Sequence, residues 1–144
     1  MMKALQTCML AGFATAMLSL APAYAGVTPS GTWSMGKVTV KVTECGPGIC
    51  ANIVALKEPI SKIDGKPKVD RENPDAAKRS RPLIGLAVMN GMKPAGEGKW
   101  KGTIYNPDDG KTYAATVRLS GDSMKVQGCV AGIFCKTNNF TRIN

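Results

Sequence analysis

The sequence holds 144 residues, with 19 Lys and Arg against 10 Asp and Glu, five Cys and no His, for a net charge of +9. That length accommodates one domain, and the lack of His excludes a Ser-His-Asp triad, a Cys-His pair and any His-ligated metal. A charged share of 20%, with Val, Ile and Leu spread along the chain, excludes a disordered tail.

The first segment reads as a targeting signal. Lys3 gives a positive start, Cys8 to Leu20 is an uncharged apolar run, and Ala23-Tyr24-Ala25 places small residues at the two positions a signal peptidase reads. A membrane-spanning helix needs about 20 apolar residues, and Pro22 follows the run too soon. The expected organisation is a signal peptide over 1–25 and a single domain over 26–144, exported to the periplasm or secreted, with no transmembrane segment in the mature chain. Cleavage removes 25 of the 144 residues, leaving 119, and takes Lys3 with it, so the charge falls from +9 to +8.

Strand signals fill the rest. Thr32 to Thr43 alternates, with Val38, Val40 and Val42 against Lys37, Thr39 and Lys41, which predicts one half-buried strand. Ile49 to Lys57 is the second strand, and the apolar run Leu83 to Met89 the third. Between them, Glu58 to Pro82 lacks strand character; a loop of that length usually carries function or mobility. Inside it, Asn73 as N-cap and Pro74 at the first helical position predict one or two helical turns over 74–79. Lys99 to Asn106 is the fourth strand, with Trp100, Gly102 and Ile104 on one face. Thr112 to Ser120 is the fifth, with Tyr113, Ala115, Val117 and Leu119 on one face. Ser123 to Val130 and Phe134 to Ile143 complete the set. Turn chemistry separates them: a longer loop at 93–98, Asn106-Pro107-Asp108-Asp109-Gly110, and Ser120-Gly121-Asp122-Ser123. Short strands at this spacing predict an all-β domain, and the hairpin-like connections favour a small up-and-down antiparallel β-barrel of about eight strands. The apolar faces, Val38, Val40, Ile53, Leu86, Val88, Ile104, Val117 and Val126, are expected to line its interior.

Four cysteines remain after cleavage, and an even number in an exported chain favours disulfides. Of three pairings, Cys45–Cys50 and Cys129–Cys135 are favoured, because each pair brackets a short glycine-containing segment. The rival is a four-cysteine zinc site, whose usual spacings of two to four residues these segments meet poorly. Neither pair forms a Cys-x-x-Cys redox motif.

Two features resemble the lipocalin-like (calycin) barrels: Gly31-Thr32-Trp33 at the start of the first strand, similar to their Gly-x-Trp signature, and Arg142 at the end of the last. The resemblance implies that Arg142 packs across Trp33 and closes the barrel. Over nearly the whole mature chain the sequence resembles the bacterial secreted family known as domain of unknown function 2147. The residues that carry this are Gly31-Thr32-Trp33, Cys45-Gly46 with Cys50, Asn73-Pro74-Asp75 and Arg79-Ser80-Arg81-Pro82-Leu83 with Gly85. Trp100 to Pro107, Asp109-Gly110-Lys111-Thr112-Tyr113 and Val126-Gln127-Gly128-Cys129 add to them. Phe140-Thr141-Arg142 stands where the family usually has Trp-x-Arg, and Asn106 where it has Asp. The family implies an exported small β-barrel and no established activity.

The chemistry-bearing residues are few. Asp70, Asn73, Asp75, Arg79 and Arg81 fall in the charged 63–82 stretch. They form either an anion-selecting lid, with Arg79 and Arg81 as the pairing groups, or a solvated loop in which Asp70 and Asp75 pair with those arginines. Tyr105 and Tyr113, near Asp108 and Asp109, join them as candidate ligand- or partner-binding residues. Adjacent carboxylates in a glycine turn are turn formers rather than a catalytic pair, and no calcium-loop spacing is present. The cations are scattered and aromatics make up 6%, which supplies no nucleic-acid stacking platform. The expectation is a non-enzymatic protein without cofactor or metal. Its expected partner is a small apolar or amphipathic ligand or an envelope lipid, and not nucleic acid. The alternative is a packed structural or interaction protein acting through its charged 63–82 loop.

Overall fold

The structure, a computed structural model, describes residues 28–144, so the expected signal peptide lies outside the described residues. Eight antiparallel strands close in sequence order into a barrel: β1 (Gly31–Ser34), β2 (Val38–Cys45), β3 (Gly48–Leu56), β4 (Ala87–Pro94), β5 (Lys99–Asn106), β6 (Lys111–Ser120), β7 (Ser123–Val130) and β8 (Phe134–Arg142). Closure comes from β1 pairing with β8, Trp33 opposite Arg142 and Ser34 opposite Thr141.

β5 and β7 coincide with their expected strands, because strict alternation is bounded at both ends by turn residues. Two others differ. The single strand expected over 32–43 is a hairpin, β1 and β2, turning at Met35-Gly36-Lys37, where Met35 N donates to Val38 O at 3.1 Å. The third strand lies further along than expected. Leu83–Leu86 is loop, held where Ile53 N donates to Leu86 O and Gly85 N to Ile53 O, and β4 begins at Ala87. Pairing of β4 with β5 shifts between Met89 and Lys93, and Gly91 takes φ +73°. This bulge turns Met89 and Met92, three residues apart, both into the core. The helical turn is also shorter than expected. It is a 3-10 turn at Ala76–Lys78 capped by Asp75, whose side chain accepts from Ala77 N. Asn73 instead accepts from Asp75 N, so the chain turns before the helix starts and Pro74 lies outside it.

One end of the barrel is solid. Trp33, Val42, Ile49, Met92, Val117 and Met124 are fully buried there, each such side chain worth about 1.5–3 kcal/mol of burial. The Arg142 guanidinium lies 4.3 Å from the Trp33 ring centroid. It also donates to Ser30 O and Thr28 O, both at 2.7 Å, and meets Asp122 at 3.3 Å. Trp33 Nε1 donates to Pro29 O at 2.8 Å, so the indole is buried with its polar atom satisfied. Two disulfides staple the hairpins. Cys45–Cys50 joins β2 to β3 with Cα atoms 5.8 Å apart, and Cys129–Cys135 joins directly opposed residues of β7 and β8 at 4.1 Å.

Candidate functional site

The other end of the barrel is hollow. A cavity of about 450 Å³ opens among the β1–β2, β5–β6 and β7–β8 turns. Its floor is apolar: Val38, Val40, Ile53, Val88, Met89, Ile104, Val126 and Phe140 line it. Leu86 and Val117, also expected to face the interior, do so in the packed core and not on the cavity wall. Gly128 on β7 leaves its inward space to Ile104, and Val38 and Val40 on β2 present short side chains to the cavity. A Cβ at Gly128 would come within 3.2 Å of Ile104 Cδ1.

Polarity rises toward the mouth. Along β8 the inward row runs Lys136, Asn138, Phe140, from rim to floor, all three on the cavity wall. Lys37, Asn106, Asp108, Asp109, Tyr105 and Tyr113 complete the rim. Lys37 pairs with Asp108 at 3.6 Å, both largely exposed, a contact worth little in water. Lys136 has no ion pair among the described residues. Tyr113 donates to Asp109. That bond pushes the Tyr113 hydroxyl up. Burial works to raise Asp109, but its hydrogen bonds from Tyr113 and the Lys111 backbone, with the Lys111 charge, hold it below the usual carboxylate range. A wall of this kind offers an apolar slot with a charged and hydrogen-bonding rim, and a volume inside the usual 300–1,000 Å³ of ligand pockets.

The charged loop between β3 and β4 forms a separate feature. None of Asp70, Asn73, Asp75, Arg79 and Arg81 lines the cavity; of the residues expected to bind, only Tyr105 and Tyr113 do. Asp70 is fully buried and organises the loop. Its Oδ2 accepts from Arg81 Nη2 at 2.9 Å, Arg81 Nε at 3.1 Å and Asn73 Nδ2 at 2.8 Å, and its Oδ1 accepts from the Tyr105 hydroxyl at 2.6 Å. Burial by itself raises Asp70, but the bonds from Tyr105, Asn73 and Arg81 and the Arg81 charge outweigh it and hold the carboxyl below its ordinary value. Burial and the Asp70 carboxylate push Tyr105 up to about 12. Arg79 Nε donates to Asn73 O at 2.7 Å rather than pairing with Asp75, whose carboxylate caps the 3-10 turn.

The β5–β6 turn completes the latch. Gly110 sits at φ +70°, and a Cβ there would fall 1.8 Å from Glu72 O. Only glycine permits this approach. Because Tyr105 both lines the cavity and holds Asp70, it is the residue that joins the loop to the cavity rim.

Lys37, Lys136 and Asn138 were not among the expected binding residues. Alternation along β8 places Lys136 and Asn138 on the same face as Phe140, a signal present in the sequence. Which end of the barrel is open is not written in that alternation. Among the described residues, no group of three or more Cys, Asp or Glu is arranged to hold a metal, and no helix is long and apolar enough to cross a membrane.

Residues 30–142 match the family described as "Uncharacterized protein conserved in bacteria (DUF2147)". No curated protein matches the chain. Among solved structures, protein HP1028 from the human pathogen Helicobacter pylori, described as belonging to the lipocalin family, matches with a TM-score of 0.64. The match covers 74% of this chain and 73% of that one at 23% identity. Likeness at that level is one of fold: the barrel is lipocalin-like.

Proposed function

The chain belongs to the bacterial DUF2147 family, and from that premise we propose that it is an exported, non-enzymatic protein that binds a small amphipathic molecule in the open half of its barrel. The observation that carries this reading is the 450 Å³ cavity, apolar at its floor and polar at its rim. A barrel of eight strands either fills itself with side chains or holds one small ligand; here the packed end does the first and the open end has room for the second. The apolar body of the ligand lies against Val40, Ile53, Val88 and Val126. Its polar head stays at the rim, within reach of Lys136, Asn138 and Tyr113. Export rests on the 1–25 segment and on two disulfides, which persist in oxidising compartments. The charged loop is a weaker candidate for binding, since Arg71, Arg79 and Arg81 already bond to Asp64, Asn73 and Asp70.

Displacement of an environment-sensitive apolar fluorophore tests the reading. The protein should enhance its emission saturably at one site, and Val88→Phe, which places a ring in the void, should abolish the enhancement while leaving the free energy of unfolding within about 1 kcal/mol of wild type, as cavity filling tends to. Equal enhancement by the two proteins would place the fluorophore elsewhere and overturn the reading.

A further inference from the structure

The tip of the β7–β8 hairpin carries large apolar side chains that nothing among the described residues covers. Val130, Ile133 and Phe134 are 50%, 77% and 75% exposed, within a stretch of five residues. The tip is a tight turn. Ala131 and Gly132 both take positive φ, 52° and 68°, Ile133 N donates to Val130 O at 3.2 Å, and the Cys129–Cys135 disulfide clamps the base. The connection has three residues, since Val130 pairs with Phe134, and it places an alanine at a positive φ that favours Asn or Gly. Isolated exposed apolar residues are ordinary, but a cluster at one projecting tip marks a contact surface.

Charge is distributed unequally between the two ends. The segments at the open end, residues 35–37, 57–86, 106–111 and 130–136, hold eleven Lys and Arg against seven Asp and Glu. Those at the closed end, residues 28–31, 44–48, 93–99, 120–123 and 141–144, hold three of each. The apolar tip and the cationic excess therefore share one end. That end is also the mouth of the cavity, whose wall continues into the tip through Val130 and Phe134.

We propose that the protein docks open end first on an anionic phospholipid bilayer, with Ile133 and Phe134 entering the interface between headgroups and acyl chains. A neutral protein partner would be served by the apolar tip alone; the cationic excess at the same end, most of it in the 57–86 loop, matches a negatively charged surface, which attracts basic segments within a Debye length. Apolar side chains at the interface and electrostatic attraction together set the strength of such binding. Docking in this orientation turns the cavity mouth toward the lipid. The proposal stands whether or not the cavity holds a ligand.

Co-sedimentation with vesicles tests it. The protein should bind vesicles of phosphatidylglycerol and phosphatidylcholine in equal parts, bind pure phosphatidylcholine weakly, and be released by salt. The Ile133→Ser/Phe134→Ser double variant should bind the anionic vesicles about tenfold less or weaker still, since it withdraws two side chains' worth of apolar area. Ile133→Ser alone, at a position off the cavity wall, should lose several-fold, with an unchanged unfolding midpoint confirming the fold. Equal partitioning of wild type and double variant, or no binding by the wild type, would overturn the proposal. So would a dimer, seen by light scattering, that the double variant abolishes in the absence of vesicle binding, because the tip would then belong to a second copy of the chain.

Discussion

Replacing Asp70 with Asn keeps the shape of the side chain and removes the charge on which four donors converge. Arg81 contributes two bonds to Oδ2, Asn73 one, and Tyr105 one to Oδ1. A hydrogen bond to a charged group contributes about 1.5–3 kcal/mol, and a neutral one about 1. Arg81 is 41% exposed, so its guanidinium stays hydrated when its partner is neutralised, which keeps the cost below the 3–5 kcal/mol of a fully buried pair. A loss of about 3 kcal/mol follows. It falls on the loop first, since the barrel strands do not depend on Asp70. At 1.4 kcal/mol per decade, the loop opens about a hundredfold more often. Hydrogen exchange should report this at Lys68, Asp70 and Leu83, whose amides bond to Pro59 O, Arg81 O and Lys68 O, while amides of β6 and β7 stay protected. Acid should mimic the substitution. The folded pKa of Asp70 is lowered, so its contribution is complete above the ordinary carboxylate value near about 4 and is lost as pH falls through the lowered value. Tyr105 sets the other edge. Its folded pKa is raised to about 12, so its contribution is complete below about 10 and is lost as pH rises through the raised value. Loop protection should be flat between those edges. Unchanged exchange in Asp70→Asn would refute the reasoning and leave the backbone bonds and the Gly110 contact as the holders of the loop.

Three further outcomes are expected. Arg142→Ala should lower stability by about 2–4 kcal/mol in urea unfolding, from the lost stacking on Trp33 and the lost bonds to Ser30 and Thr28. Arg142→Lys should recover less than half of that, because an ammonium lacks the planar fork; full recovery would show that charge alone matters. Gly110→Ala should cost about 1–3 kcal/mol for its positive φ alone, and its methyl should push Glu72 away and raise exchange in the loop; normal exchange there would disprove the contact. Serine in place of both Cys129 and Cys135 should cost about 2 kcal/mol by loop entropy and leave the barrel folded, read as a lower urea midpoint with an unchanged slope.

The barrel was legible in the sequence because most of its strands bury one face only. Tyr113, Ala115, Val117 and Leu119 alternate cleanly, and Asn106 to Gly110 carries unmistakable turn chemistry. The β1–β2 hairpin was hidden because the same alternation runs almost unbroken across its turn. One clue was present: Trp33 has the opposite parity to Val38, Val40 and Val42, so a single strand could not bury all four. β4 was misplaced because the continuous apolar run ends at Met89, whereas the strand goes on to Pro94 through a bulge at Gly91. Tyr105 and Tyr113, named from the sequence, lie on the cavity wall, but their setting is not legible in the sequence. The bond from Tyr105 to Asp70 spans 35 residues, and no local pattern encodes it. Nor does local pattern say which end of a barrel stays hollow.

Native mass spectrometry of the protein, purified from its own host without denaturation, decides whether the cavity holds a ligand. The expected result is a mass excess of one small molecule, released on unfolding, extractable into organic solvent and absent from Val88→Phe prepared in the same way. A wild-type protein of bare polypeptide mass that also fails to take up added apolar fluorophore, or an excess that Val88→Phe retains in full, would contradict it.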